Sequence, residues 1–280
     1  FNTLMDSSSI NGIESVISSG LSQPIAKTKS VIVSTFATLL KPPLSIDEII
    51  AKSEYKFNEL ALDLFHYQAE NNSIYNQYLQ LIDKRSFKPQ HYSEIPFLPI
   101  QFFKTHRIVC GEFTPEIIFE SSSTTGTGTS KHAVARLADY EKTATDFFEQ
   151  ITALYNAYEL AGLLPNYLEK GNSSLVYMVT HLMKVNVQPE RFYLYDFDAL
   201  FQWIETCKAT PIVFAVSFAL LDFATNYKTQ KRFVIFETGG MKGRKKELTK
   251  TEFYAMIQEA FPNAEIRSEY GMTELSSQAY

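Results

Sequence analysis

The chain has 280 residues and a formal net charge of −5. Hydrophobic residues make up 45% of it, including 22 Phe and 16 Tyr, which excludes a wholly disordered chain and allows one large domain or two modest ones. The acidic balance lacks the basic excess typical of a nucleic-acid binder, so no nucleic-acid partner is expected. Two cysteines in a chain of this length indicate a reducing compartment, and we expect a cytoplasmic location.

The first part of the chain divides into two segments. Residues 1–45 are rich in Ser and small residues and predict an appended segment of unknown role. Its apolar run at residues 31–40 is too short for a bilayer, which needs about 20 residues, so no integral membrane association is expected. Residues 46–115 predict a helical N-terminal region, in which apolar residues recur at helical spacing over 46–83. The two prolines of residues 95–100 exclude a helix there.

Residues 116–280 alternate between strand-like and helix-like segments, which predicts a nucleotide-binding α/β core with mixed or parallel sheets flanked by helices. The predicted strands are residues 116–120, 174–179, 211–217, 232–236 and 264–268. The predicted helices are residues 137–158 and 249–260, the second with a capping box formed by Thr249 and Glu252.

The segment Ser121–Lys131 carries the clearest chemical signal. It combines glycines, which let backbone N–H groups approach oxygens closely, with many hydroxyls and a lysine, and it follows a predicted strand and precedes a predicted helix. This pattern favours a polyphosphate site over a flexible Ser/Gly linker. The spacing around Gly128 and Lys131 excludes both the P-loop and the dinucleotide fingerprint. For His132, two roles stay open: orienting this loop or contacting a substrate, or a purely structural one.

The same segment resembles the phosphate-binding loop of the adenylate-forming superfamily, which includes acyl-CoA synthetases, firefly-type luciferases and peptide-synthetase adenylation domains. Residues 270–274 (Tyr-Gly-Met-Thr-Glu) are similar to the superfamily motif Tyr-Gly-x-Thr-Glu. Residues 237–240 (Glu-Thr-Gly-Gly) resemble the Gly-Gly turn that lies along the adenine. Three motifs in the expected order form a strong joint signal, whereas each alone is weak.

Within the superfamily, the chain resembles the acyl-protein synthetase family, the ATP-dependent component of the bioluminescence fatty-acid reductase complex. The resemblance extends over residues 50–280 and depends on residues 98–104 (Leu-Pro-Ile-Gln-Phe-Phe-Lys), 130–132 (Ser-Lys-His), 172–178 (Asn-Ser-Ser-Leu-Val-Tyr-Met) and 237–244. It implies ATP- and Mg²⁺-dependent activation of a carboxylic acid, with a fatty acid expected, to acyl-AMP. The acyl group then passes to a thiol, either on an enzyme cysteine or on a partner protein such as a reductase. Two alternatives stay open: a CoA or carrier-protein ligase of the phenylacetate type, and a catalytically inactive nucleotide- or partner-binding module.

The resemblance also implies a role for each motif position. The ATP phosphates would be held by Ser122, Ser123, Thr124, Thr125, Gly126 and Lys131. Gly239 and Gly240 would border the adenine, Tyr270 would stack on it, and Gly271 would complete the ATP-binding positions. Thr273 would contact the α-phosphate and Glu274 would hold Mg²⁺, which makes Lys131, Thr273 and Glu274 the predicted catalytic set.

The sequence departs from the superfamily pattern at two places. Ser123 stands where the loop usually has glycine, which is unfavourable if that position needs a positive φ. The superfamily normally continues beyond Tyr280 with a ribose-binding Asp, a hinge and a mobile lid that carries a catalytic lysine. The expectation is therefore that this C-terminal lid is absent from the chain, and that the chain is either incomplete or a degenerate relative.

Overall fold

The computed structural model describes residues 57–121, 128–165, 172–239, 248–276 and 278–279. The predicted appended segment, residues 1–45, lies outside the described residues. The helices, in chain order, are α1 (Phe57–Asn71), α2 (Ser73–Leu81), α3 (Phe102–Thr105), α4 (Leu137–Thr152), α5 (Ser174–Val185), α6 (Phe197–Thr206), α7 (Ser217–Asn226) and α8 (Lys250–Ala260), with a short 3-10 turn at Tyr92–Glu94. The strands are β1 (Ile117–Glu120), β2 (Lys131–Val134), β3 (Tyr158–Leu163), β4 (Thr210–Val216), β5 (Val234–Thr238) and β6 (Glu265–Glu269).

Within the stretch 46–83, for which the spacing predicts helix, the structure has α1 and α2, and residues 46–56 lie outside the described residues. The helical pattern is broken at Asn72, whose side chain accepts a hydrogen bond from Tyr75 N at 3.0 Å and so begins α2. Phe65, Tyr75 and Leu79 form a small core of their own with neighbouring apolar residues. The proline segment that follows has no helix before residue 100, as predicted.

Strands β1 and β2 form an antiparallel pair in which Glu120 lies opposite Lys131. This corrects the prediction that Ser121–Lys131 leads from a strand directly into a helix within a βαβ unit. The segment instead links two antiparallel strands, and α4 begins only after β2. Strand β2 was not predicted, because its four residues directly follow the glycine- and hydroxyl-rich stretch and contain one β-branched residue.

The remaining strands form a parallel sheet in the order β3-β4-β5-β6, which confirms the predicted α/β architecture. Helices α5 and α6 connect β3 to β4, α7 connects β4 to β5, and α8 connects β5 to β6. Strands β4 and β5 are buried along almost their whole length, as expected for parallel strands covered on both faces. Phe148 of α4 packs against Phe214 and Phe236 on one face of the sheet.

Two predicted elements are wrong. Residues 174–179, predicted as a strand, begin helix α5, where Ser173 caps the N-terminus and Met178, Val179, Leu182 and Met183 form the buried side. The helix predicted over 137–158 ends at Thr152, and Tyr158 already begins β3.

The other predicted strands agree with the structure to within about two residues at each end, as is normal for element boundaries. The predicted capping box is present, because Thr249 accepts from Glu252 N and the Glu252 carboxylate accepts from Thr249 N. Among the described helices, none is both long enough and apolar enough to cross a membrane.

Candidate functional site

Two of the three predicted motifs leave the parallel sheet at its C-terminal edge, where ligands of α/β proteins usually bind. Strand β5 ends at Thr238 and leads into Gly239, and β6 ends at Glu269 and leads into Tyr270. Thr238 and Glu269 are register partners, so the two motifs leave the sheet side by side. Gly239 has a φ of 70°, a left-handed conformation that favours glycine.

Residues 270–279, here called the motif loop, form a closed loop on this edge. Tyr270 N donates to Ala279 O at 2.7 Å, and Ala279 N donates to Tyr270 O at 2.9 Å, which joins the two ends. A turn within the loop is closed by the hydrogen bond from Leu275 N to Met272 O at 3.0 Å. The loop therefore has a fixed base, and its tip carries Thr273 and the partly buried Glu274.

His132 of β2 joins the motif loop to the candidate phosphate loop. Its ring is buried, and Nδ1 lies 2.9 Å from Thr273 O, while Nε2 lies 3.5 Å from Ser276 Oγ. Burial lowers the pKa of His132 to about 4, although the hydrogen bond to Thr273 O opposes this shift. Because a carbonyl only accepts, Nδ1 carries the proton of the neutral ring and Nε2 is left as an acceptor. Of the two roles left open for His132, the geometry favours orientation of the loops.

The candidate phosphate loop is described only at its two ends. Ser121 N donates to Ser130 O at 3.0 Å, and Ser130 N donates to Ser121 Oγ at 2.9 Å, which closes the loop at its neck. Gly128 has a φ of 90°, which suits glycine. The predicted phosphate ligands Ser122, Ser123, Thr124, Thr125 and Gly126, and the adenine-bordering Gly240, lie outside the described residues.

A cleft of about 240 Å³ lies between these elements. It is bordered by the end of β1, the N-terminus of α5, the turn at Gly239 and the motif loop, including Gly271, Thr273 and Glu274. Ser121, at the first end of the candidate phosphate loop, and the Thr-Glu motif therefore border the same cleft, although they lie in opposite halves of the sequence.

Tyr270 lies at the rim of the sheet edge and is 42% exposed. Burial of part of its ring, and after it the negative charge of Glu274, raise the pKa of its hydroxyl. Half-exposed aromatic rings can accept a flat ligand without any rearrangement of the core, so the position fits the predicted stacking role.

Lys131 faces away from the cleft. Successive strand residues point to opposite faces, and because His132 is directed towards the motif loop, Lys131 is directed outwards. Its Nζ pairs with Glu120 at 3.2 Å, and it lines a second cavity of about 430 Å³ together with Phe103, Arg107 and Ile118. The side chain of Lys131 is 62% exposed, so its predicted contact with phosphate stays a prediction that would require it to leave Glu120.

Two buried carboxyl groups near the cleft were not predicted. Glu269 is 6% exposed, and burial raises its pKa to about 7, with a smaller contribution from the charge of Glu237 and an opposing hydrogen bond from Thr238. Glu237 lies on the opposite face of the sheet, where Ser217 Oγ lies 2.5 Å from its Oε1 and also contacts Gly239 O. Glu237 therefore helps to fix the Gly239 turn, whereas Glu269 belongs to the cleft itself.

Gln278 and Tyr140 complete the inner wall of the cleft and were also missed. Gln278 Nε2 lies 3.2 Å from the Tyr140 hydroxyl, which in turn donates to Ser174 O at 3.1 Å. For Glu269 and Gln278, the signal available in the sequence was the residue type. A glutamate directly precedes Tyr270 and a glutamine lies four residues after Glu274, and such polar side chains are seldom buried at the end of a strand or in a tight loop.

The donor set suits a magnesium ion that is held mainly by substrate phosphates. Mg²⁺ prefers oxygen ligands and usually takes one or two carboxylates in addition to phosphates and water. Glu274 supplies such a carboxylate at the mouth of the cleft, where it is only partly buried. The described residues contain no group of three or more His, Cys, Asp or Glu side chains able to hold a metal by themselves.

Comparison with known proteins identifies the fold. No family model matches the chain, and no curated protein matches its sequence. Among solved structures, the chain resembles an open conformation of 2-hydroxyisobutyryl-CoA ligase in complex with 2-HIB-AMP and CoA, with a TM-score of 0.54 and 13% identity over 79% of this chain and 54% of the ligase. A luciferase-like enzyme from the nonluminescent mealworm Zophobas morio gives a TM-score of 0.38 and 16% identity, over 69% of this chain and 46% of that enzyme.

At these identities the likeness to the ligase shows the fold alone. The fold of the chain is similar to that of this CoA ligase, which agrees with the α/β architecture predicted from the sequence. The chain spans about half the length of each of these neighbours.

Proposed function

We propose that the chain activates a carboxylic acid with ATP and passes the acyl group to a thiol. A carboxylate oxygen attacks the α-phosphorus, the bond from that phosphorus to the bridging oxygen breaks, and pyrophosphate leaves. The thiolate then attacks the acyl carbon of the acyl-AMP, the bond from that carbon to the AMP oxygen breaks, and AMP leaves. The observation that carries the proposal is the hydrogen bond between His132 and Thr273, because it brings the end of the candidate phosphate loop and the Thr-Glu motif to one cleft.

The proposed residue roles follow the motif positions. Ser122, Ser123, Thr124, Thr125, Gly126 and Lys131 would hold the β- and γ-phosphates, Gly239, Gly240, Gly271 and Tyr270 would hold the adenine, and Thr273 would contact the α-phosphate. The attacking carboxylate and the triphosphate repel each other, so the site must neutralise negative charge. Mg²⁺ held by Glu274 would neutralise the phosphate charge and that of the departing pyrophosphate.

Helix α5 gives a second source of favourable electrostatics. Its first residues, Ser174 and Leu175, and its capping Ser173 line the cleft. The N-terminus of a helix carries a partial positive charge and free N–H groups, which stabilise anions. An anionic carboxylate or phosphate in the cleft would therefore face a helix end of the right polarity.

The acyl-accepting thiol belongs to a second molecule or to a part of the protein outside this sequence. The sequence contains two cysteines, and both are buried. Burial raises the pKa of the Cys110 thiol to about 11 and also raises that of Cys207, so both stay protonated near neutral pH. Since the thiolate is the nucleophile, neither fits the acceptor role.

Three acceptors remain, and the resemblance and the comparisons support different ones. The acyl-protein synthetase resemblance supports a fatty acid as substrate and a cysteine of the protein or of a partner reductase as acceptor. The likeness to a CoA ligase supports CoA, and a carrier protein is the third candidate. Trapping the acylated product after incubation with labelled acid, ATP and each acceptor distinguishes them.

Acid-dependent exchange of labelled pyrophosphate into ATP tests the proposal on the full-length protein. We expect exchange that requires Mg²⁺, and we expect Glu274→Gln to reduce it at least tenfold. Glu259→Gln is the matched control, because Glu259 is an exposed surface residue that pairs with the exposed Lys228. Absence of exchange with every acid tested, together with absence of MgATP binding by calorimetry, would overturn the proposal. Binding without exchange would instead identify an inactive nucleotide-binding module.

A further inference from the structure

The inner end of the cleft has a polar floor. The carboxyl group of Glu269 and the side chain of Gln278 converge on Gly271: a Cβ at Gly271 would lie 2.3 Å from Glu269 Oε1 and 3.5 Å from Gln278 Cγ. Glu269 and Gln278 are 6% and 5% exposed, respectively, and both line the cleft. Burial of two polar side chains at one point is unfavourable unless hydrogen bonds compensate for it.

The amide of Gln278 is oriented by its neighbours. The Tyr140 hydroxyl donates its proton to Ser174 O at 3.1 Å, so towards Gln278 it can only accept. The group of Gln278 that faces Tyr140 at 3.2 Å is therefore Nε2, a donor. Gln278 Oε1 is thus directed away from Tyr140, and it has no hydrogen-bond partner within the part of the chain that the structure describes.

Glu269 adds a second acceptor to the same floor. Thr238 donates a hydrogen bond to its carboxyl group, and the Tyr140 and Gln278 side chains lie nearby. A carboxylate has about four lone-pair positions, so one hydrogen bond leaves acceptor capacity unused. When Glu269 is ionised, it has no proton to donate, and within the described residues the floor then offers two acceptors and lacks a donor.

Under the proposed function, this floor faces the acid and not the nucleotide. The adenine is assigned to Gly239 and Tyr270, and Tyr270 is at the exposed rim. The phosphates are assigned to the loop beyond Ser121 and to Thr273, on the side of β1 and β2. The remaining direction leads inwards between α4, α5 and the sheet, where the cleft ends at Tyr140, Gln278 and Glu269.

We propose that the carboxylic acid activated in this cleft carries a hydrogen-bond donor, a hydroxyl or amino group, that is bound by Gln278 Oε1 and the carboxyl group of Glu269. An unsubstituted alkyl chain in the same place would leave the buried Gln278 Oε1 without a hydrogen bond. Sites built to bind a donor discriminate strongly against analogues that lack it, because their buried polar groups are then left unpaired. Gln278 and Glu269 are therefore specificity-determining residues.

Matched pairs of acids test this inference, which depends on the proposed function. Pyrophosphate exchange is measured on the full-length protein with butanoic, octanoic and tetradecanoic acids. Each acid is compared with its derivatives that carry a hydroxyl or amino group on the carbon that bears the carboxyl group, on the next carbon, or at the chain end. We expect at least one substituted acid to exceed its unsubstituted partner about tenfold or more in kcat/KM. If kcat/KM for every unsubstituted acid equals or exceeds that of its substituted partners, the inference is overturned and the proposed function still stands. Absence of exchange with all acids overturns the proposed function as well.

A substitution tests the assigned residue. Gln278→Met keeps the length of the side chain but removes the acceptor, so it should lower kcat/KM for the preferred substituted acid and reduce the preference at least fivefold, with little change for its unsubstituted partner. Gln150→Met, at an exposed position of α4, is the matched control and should keep the preference. An unchanged preference in Gln278→Met would exclude Gln278 from recognition. If that variant fails to fold, the comparison of acids on the unsubstituted protein still decides.

Discussion

Substitution of His132 tests whether the motif loop must be held against β2. The buried ring donates from Nδ1 to Thr273 O at 2.9 Å, and its Nε2 lies 3.5 Å from Ser276 Oγ. Asparagine can place its amide nitrogen near the Nδ1 position, whereas glutamine reaches the Nε2 position instead. We therefore expect His132→Asn to keep the hydrogen bond to Thr273 and His132→Gln to lose it.

The structure sets the size of the difference between the two variants. Both replace a buried ring by a smaller or more flexible side chain, and both should therefore unfold at lower denaturant concentration than the unsubstituted protein. His132→Gln in addition leaves the Thr273 carbonyl without its donor, which costs about 1–3 kcal/mol when the group is buried. Because Thr273 is only partly buried, we expect His132→Gln to be about 1 kcal/mol less stable than His132→Asn.

Two assays together decide the outcome. Urea unfolding followed by circular dichroism gives the free energies, and pyrophosphate exchange gives the KM for MgATP. We expect His132→Gln to raise this KM more than His132→Asn does, since Thr273 and Glu274 lose their fixed position. Equal free energies of unfolding and equal KM values in the two variants would refute the view that this hydrogen bond positions the motif loop.

Three further predictions concern neighbouring groups. The pKa of His132 is lowered to about 4 in the folded protein from an ordinary value of 6.5, so the neutral ring favours the folded state fully above pH 6.5 and costs up to about 3 kcal/mol of stability as pH drops towards 4. The buried Glu269, whose pKa is raised, has the opposite pH dependence, so the His132 contribution is measured by urea unfolding as the difference between the unsubstituted protein and His132→Asn, and this difference should change by about 3 kcal/mol over that range. Gly271→Ala should cost about 1–3 kcal/mol in the same measurement, because its Cβ would displace the buried Glu269 carboxyl group, and Glu269→Ala in the same chain should recover part of that cost. Lys131→Ala should change the free energy of unfolding by less than about 0.5 kcal/mol, because the ion pair of Lys131 with Glu120 is largely exposed. The same substitution should raise the KM for MgATP, and unchanged exchange kinetics would remove Lys131 from the site.

Strands β4, β5 and β6 of the parallel sheet could be predicted because they carry a local signal, whereas β3 was not predicted. Strands β4 and β5 are continuous apolar runs rich in Val, Ile and Phe, and the capping box at Thr249 marks the start of the helix between β5 and β6. The apolar run at residues 174–179 misled the interpretation, because a short run of this kind fits a strand and a buried helix equally well. Ser173, which caps α5, was the local signal that favoured the helix.

The direction of side chains could not be predicted in the same way. The position of Lys131 in the motif suggested that its side chain enters the cleft. Its orientation depends on the pairing of β2 with β1, and β2 itself was not predicted. Glu269 and Glu237 lie on neighbouring strands and look alike in sequence. Only the register of β5 with β6 places one of them in the cleft and the other against Ser217.

The motif loop links the predicted nucleotide contacts to the inferred acid contact. Tyr270 is at one end of the loop, next to Gly271, which lines the cleft; Thr273 and Glu274 are at its tip, and Gln278 is next to its other end, so one segment borders the cleft at three places. Because the hydrogen bonds between Tyr270 and Ala279 close the base independently of His132, the tip can move while the base stays in place. Loss of the bond to His132 should therefore affect MgATP more than the preference among acids, whereas Gln278→Met should affect the preference alone. If both substitutions changed both properties to the same extent, the loop would have to move as one rigid unit, and the roles of its base and its tip could not be separate.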